Sequence, residues 1–212
     1  MRSLVCCLAL VLVVAPVVSA EKMAVDIKSA DGVMLKGSYY DAGQPGPAML
    51  LVHQCNMDRT SWESLASSLS GAGIHVLTFD LRGFGETPGE GLVSPESFPR
   101  LMKQSPPDVD AAYEYLLKQD GVDRSRVAVG GASCGVALTS DLTTRNPEIK
   151  AFMALSGFPS DAAKAHIAKT PGLAVFGAAA DADDLTPGVH EVIKASVGGS
   201  KNPKSMVKIY GG

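Results

Sequence analysis

Residues 129–138 read VGGASCGVAL and place a serine between two glycines, Gly131-Ala132-Ser133-Cys134-Gly135. The pattern G-x-S-x-G is weak alone. Here it follows an apolar run, 126–131, that reads as a buried strand, and it opens a run that reads as a helix. Strand–turn–helix is the setting of a nucleophile elbow. The turn is so tight that side chains at 131 and 135 would strike the neighbouring strand and helix. It lifts the serine hydroxyl above the sheet edge, where the helix N-terminus supplies partial positive charge and a free N–H. The bland alternative is a glycine-rich strand end with an incidental serine. The frame centres on Ser133, which makes the adjacent thiol of Cys134 a poorer nucleophile candidate. A hydroxyl attacks only when a base takes its proton, so the reading turns on finding that base among His53, His75, His166 and His190.

The elements that must position this turn alternate along the chain. Asp31-Gly32 joins two strand-like stretches, MAVDIK and MLKGSYY, as a hairpin. Continuous apolar runs follow at 48–53, 75–81, 126–132, 151–157, 173–178 and 206–211, as strands buried on both faces require. Between them lie helical stripes. Thr60-Ser61-Trp62-Glu63 has capping-box form ahead of Trp62, Leu65, Ala66 and Leu69. Val109, Ala112, Tyr113, Leu116 and Leu117 repeat the pattern behind Pro107. Further helices are predicted at 135–145 and roughly 183–196. The fold class is therefore α/β, a doubly wound, mainly parallel sheet with an antiparallel N-terminal hairpin. Residues 83–106, rich in Gly, Pro and Ser, form a long connection expected to border the site.

These segments, in this order, resemble the α/β-hydrolase family, and its dienelactone-hydrolase-like and small serine esterase branches in particular. LLVHQCNMDRTSW (50–62), HVLTFDLRGFGET (75–87) and DVDAAYEYLLKQDGVDRSRVAVGGASCG (108–135) carry the resemblance, which runs from about residue 24 to the end. It implies a serine hydrolase that cleaves a carboxylic ester or lactone through an acyl-enzyme, with Ser133 as nucleophile. It implies that the backbone N–H groups of Cys134 and Cys55 form the oxyanion hole, although Gln54 stands where the family usually has glycine. Losing one such donor costs on the order of 10²–10³ in rate. With both donors around one small hole, Cys55 and Cys134 become neighbours in space, either as a disulfide or as two unpaired core thiols. The acid is expected after the strand 173–178. Asp181 is favoured because it lies four residues past Gly177; Asp183 is the runner-up, Asp184 a third candidate and Asp161 a remoter one.

The family order then asks for a histidine in the loop after the last strand, MVKIYG, which lies at the end of the given sequence. His53 ends the oxyanion strand, where the family histidine is structural. His75 begins a strand, at the far end from the site, and His166 and His190 fall in helical stretches. The triad is therefore expected to be incomplete in residues 1–212, with its base beyond them. The rival reading is a non-catalytic ligand-binding protein with the hydrolase fold; peptide or amide cleavage is a third. Residues 158–172 leave room for one short helix, DAAKAHIAK, and for no substantial lid, which favours soluble esters or lactones over long-chain lipids.

The bulk numbers agree with one domain. The 212 residues are 46% hydrophobic and 19% charged, with net charge -3. No basic block suggests nucleic acid as a partner. Arg2, the apolar run 4–18 and the small residues VSA before Glu21 fit a signal peptide over 1–20, with a hydrolase domain over 21–212. That implies export to the periplasm or the medium, and no stable membrane insertion after cleavage. No metal or organic cofactor is implied: Cys55 and Cys134 cannot make a zinc cluster, the aspartates at 181–184 do not fit a calcium loop, and no phosphate-binding glycine motif is present.

Overall fold

The computed structural model describes residues 21–92 and 94–211. The signal-peptide reading of 1–20 lies outside the described residues. Eight strands form one sheet in the order β1-β2-β4-β3-β5-β6-β7-β8. They are β1 (Glu21–Lys28), β2 (Met34–Asp41), β3 (Gly46–Val52), β4 (His75–Phe79), β5 (Val122–Ala132), β6 (Ile149–Leu155), β7 (Ala174–Ala180) and β8 (Met206–Tyr210). β1 pairs antiparallel with β2, β2 antiparallel with β4, and the rest run parallel. The hairpin turns at Gly32, whose φ of 91° suits glycine.

Among the described residues six helices connect the strands: α1 (Glu63–Gly71), α2 (Phe98–Gln104), α3 (Pro106–Leu117), α4 (Cys134–Arg145), α5 (Asp161–Lys169) and α6 (Val189–Gly198). Strand alternation sends the apolar side chains of β3 to opposite faces. Ala48, Leu50 and Val52 join the larger core cluster with α3 and α4, whereas Leu51 joins a smaller cluster with Trp62 and Ala66. The sheet is thus covered on both sides.

Three local expectations change. Thr60 does not cap α1; a 3-10 turn, Arg59–Trp62, precedes it, and the Asp58 side chain accepts from Thr60 N instead. Residues 183–188 are not helical: α6 begins only at Val189, because Gly188 sits at φ 77°, which breaks the helical run. Residues 83–106, read as one long connection, contain a 3-10 turn (Pro95–Ser97) and α2.

Two buried carboxylates tie the loops to the sheet. Asp80 accepts from Arg59 N at 2.8 Å and Glu86 N at 2.9 Å, and pairs with the Arg59 guanidinium. Asp108, fully buried in α3, takes a bidentate pair from Arg82 at 2.8 and 2.5 Å, and Arg82 also reaches Asp31 at 2.7 Å. These pairs fix both ends of the segment after β4, where α2 begins its approach to the site.

Candidate active site

Strand order explains where a site must form. From β3 the chain crosses to β4 on one side, then returns to β5 on the other. The crevice between the carboxyl ends of β3 and β5 is the topological switch point, the usual ligand site of such sheets. Val52 pairs with Gly131 at this edge, so the loop after β3 and the turn after β5 emerge side by side.

Ser133 occupies that turn with φ 50° and ψ -119°, a region that L residues seldom adopt. Its conformation is held from three sides: Ser133 N donates to Leu155 O at 2.9 Å, Val136 N donates to Ser133 O at 3.0 Å, and Gly157 packs beneath the same carbonyl. Glycine is required on both flanks. A Cβ at Gly131 would collide with the Gly135 carbonyl, and one at Gly135 with the Val52 carbonyl. Cys134 begins α4, and the first N–H groups of a helix lack intrahelical partners, which leaves the Cys134 amide available.

The second amide is oriented by His53. His53 is fully buried; its Nε2 accepts from Leu81 N at 3.1 Å, so its Nδ1 carries the proton and donates to Gln54 O at 2.8 Å. This tautomer is assigned from the two partners. Met57 N also donates to Gln54 O, at 3.1 Å. A trans peptide points its C=O and its following N–H in opposite directions, so the anchored Gln54 carbonyl turns the Cys55 N–H the other way. Gln54 in place of glycine is accommodated here, with its side-chain amide donating to Asn56 at 2.8 Å.

Cys55 and Cys134 form a disulfide, with Cα atoms 5.9 Å apart. The two residues with the candidate oxyanion amides are therefore joined covalently. Both line a cleft of about 890 Å³ together with Ser133.

The acid candidates separate. Asp183 and Thr186 line the cleft, and Asp181, Asp184 and Asp161 do not. The count from Gly177 favoured Asp181 because it took that glycine as the strand end, but β7 continues to Ala180. Asp181 N then donates to Tyr210 O at 3.0 Å, which keeps Asp181 beside β8. Two residues later Asp183 reaches the cleft, where Thr186 holds its carboxyl below the usual carboxylate range, with the Ser156 hydroxyl contributing less. Thr186 N donates to Asp183 Oδ1 at 2.9 Å; the Thr186 hydroxyl faces the carboxylate outside hydrogen-bond geometry. Ser156 was not singled out in the sequence. Like Ser133 it has positive φ, 40°, and the Ser156-Gly157 pair after a strand was the available sign.

No histidine lines the cleft among the described residues. His53 is engaged at both nitrogens, and burial holds its pKa below the ordinary value. His75 bonds Tyr39 OH and Gln44 O at the other end of the strands. His166 packs by Thr170 on α5, and His190 Nε2 lies 3.0 Å from Glu191 on α6.

The cleft wall is apolar. Leu92, Phe98 and Met102 come from the connection after β4, Phe158 from the segment after β6, and Leu185 from the acid loop. Two buried donors among the lining residues, Trp62 Nε1 and Thr186 Oγ1, have no partner among the described residues. No group of three or more His, Cys, Asp or Glu residues able to hold a metal occurs among the described residues, and no helix there is long and apolar enough to cross a membrane.

Comparison with known proteins places this geometry in context. A family model described as serine aminopeptidase, S33 matches residues 43–182. An uncharacterized protein of Mycobacterium tuberculosis (strain ATCC 25618 / H37Rv) is 35% identical over 127 residues, which is 57% of this chain and 41% of the relative. Thiohydrolase apmlB of Arthrinium phaeospermum is 30% identical over 136 residues, 64% of this chain and 43% of the relative. The chain thus spans about two fifths of the length of these curated relatives. Among solved structures, the Pyrococcus furiosus esterase Pf2001 aligns with a TM-score of 0.70 at 18% identity, over 92% of this chain and 84% of that one. A cold-adapted esterase from an Arctic intertidal metagenomic library gives 0.69 at 19% identity, over 92% and 86%. The fold is that of the α/β hydrolases.

Proposed function

We infer, for a chain that belongs to the serine aminopeptidase S33 family of α/β hydrolases, that Ser133 is the nucleophile of an ester-cleaving hydrolase. The observation that carries this reading is the strained Ser133 turn, which lines a cleft together with the disulfide-bonded Cys55 and Cys134.

In this mechanism Ser133 Oγ attacks the acyl carbon and forms a tetrahedral intermediate. The charge that develops on the carbonyl oxygen is held by the N–H groups of Cys134 and Cys55. Asp183 is the acid, kept ionised by Thr186 and Ser156 so that it can orient an imidazole. No described histidine lines the cleft, and the step still requires an imidazole beside Asp183. It takes the serine proton and returns it to the leaving alcohol; water, activated the same way, then releases the acid product and regenerates Ser133. No step requires a metal or an organic cofactor.

A fluorophosphonate probe on the product of the complete gene tests this. Labelling that disappears in Ser133→Ala is the expected result. Absence of labelling on the folded protein favours the second reading, a ligand-binding protein with the hydrolase fold, which gains support from the lack of a cleft histidine among the described residues. A panel of matched ester and amide substrates separates ester cleavage from peptide chemistry.

A further inference from the structure

We propose that the cleft selects a neutral, apolar acyl chain, and that α2, folded within the connection after β4, is the wall that reads its length. The substrate class rests on the hydrolase reading of Ser133; the binding preference does not.

The charge of the cleft excludes an anionic acyl group. Among its described lining residues no lysine or arginine occurs, and the one ionised side chain is the Asp183 carboxylate. A second carboxylate on the ligand would meet no cation and would be repelled by Asp183.

The exposed apolar surface points the same way. Met57, Phe98, Phe158 and Leu185 are 49%, 41%, 43% and 86% exposed, although each is large and hydrophobic. All four line the cleft that holds Ser133. Apolar groups gathered at one concave site mark the place where a ligand removes them from water. Phe98 and Met102 lie on α2 at spacing i, i+4, which puts both side chains on one helix face. That face contributes to the cleft wall. Residues 158–172 contribute Phe158 alone.

The test uses Trp62, the one tryptophan of the chain, which lines the cleft and so reports on its occupancy. The 212-residue chain, wild type and Ser133→Ala, is titrated with methyl butyrate, methyl octanoate and monomethyl suberate while Trp62 emission is followed. Suberate matches octanoate in length but ends in a carboxylate. Methyl octanoate is expected to bind more tightly than methyl butyrate, by up to about fourfold per added methylene. Monomethyl suberate is expected to bind at least tenfold more weakly than methyl octanoate. The double variant Phe98→Ala, Met102→Ala should reduce the octanoate-to-butyrate ratio. Circular dichroism confirms its fold. Equal affinity for suberate and octanoate, or a ratio unchanged in the α2 variant, overturns the proposal. Octanoate binding without turnover by the complete gene product overturns the hydrolase reading instead and leaves this one standing.

Discussion

Reducing the Cys55–Cys134 disulfide removes a constraint whose size follows from the chain itself. The bond closes a loop of 79 residues. In the chain-entropy treatment, closing a loop of that length lowers the entropy of the unfolded chain by about 15 cal/mol/K, or about 4.5 kcal/mol at 25 °C. Measured disulfides reach this limit rarely, so reduction is expected to cost about 2–4.5 kcal/mol. For a domain of this size, 3 kcal/mol lowers Tm by roughly 6–12 °C. The bond also joins the two residues whose amides form the proposed oxyanion hole. After reduction Cys134 remains fixed by α4, and the His53–Gln54 hydrogen bond still holds the peptide that carries the Cys55 N–H. The fall in kcat should therefore stay below the on the order of 10²–10³ that follows loss of a whole donor, with KM little changed. The assay compares urea unfolding and steady-state ester hydrolysis by the complete protein, with and without a phosphine reductant. The variant Cys55→Ala, Cys134→Ala serves as a control that the reductant cannot affect. Two titratable thiols in the untreated native protein, or unfolding midpoints that coincide with and without reductant, would refute the reasoning.

The remaining expectations concern single residues. Asp183→Asn should lower kcat by about 10³–10⁴ through the wrong imidazole tautomer, while Asp181→Asn should leave kcat within about twofold; the reverse ranking would return the acid to Asp181. Asp108→Ala leaves Arg82 buried without its bidentate partner and should cost about 3–5 kcal/mol in urea unfolding; a loss under 1 kcal/mol would show that the pair is dispensable. Gly135→Ala drives a Cβ into the Val52 carbonyl, so the soluble yield and fluorophosphonate labelling should both collapse, and an active, stable variant would contradict the elbow geometry. His53 is held neutral by burial, with its folded pKa below the unfolded value. Its contribution is complete above pH about 6.5 and is lost as pH falls towards the folded pKa, at up to about 1.4 kcal/mol per pH unit. Unfolding midpoints measured between pH 7 and 5.5 should flatten in His53→Gln, and an unchanged slope would remove His53 as the source.

Much of this arrangement was legible in the order of residues. Binary pattern determined that the sheet is mainly parallel with a hairpin at one edge, because a strand buried on both faces must be apolar throughout. Gly131 and Gly135 determined where the turn lies, since no other residue fits beside the carbonyls of Gly135 and Val52. Ser133 followed from that turn, and Cys134 and Cys55 as candidate oxyanion residues followed from the resemblance to the α/β hydrolases. Tertiary structure alone decided the rest. The extra length of β7, paired with β8, leaves Asp183 rather than Asp181 lining the cleft. Whether the cysteines pair depended on β3 and β5 becoming neighbours across 79 residues. Part of the apolar wall came from α2, whose short helix has no long hydrophobic period to announce it and whose connection is bracketed by the Arg82–Asp108 pair. Local pattern records what each segment buries; which segments meet is settled by contacts distant in the chain.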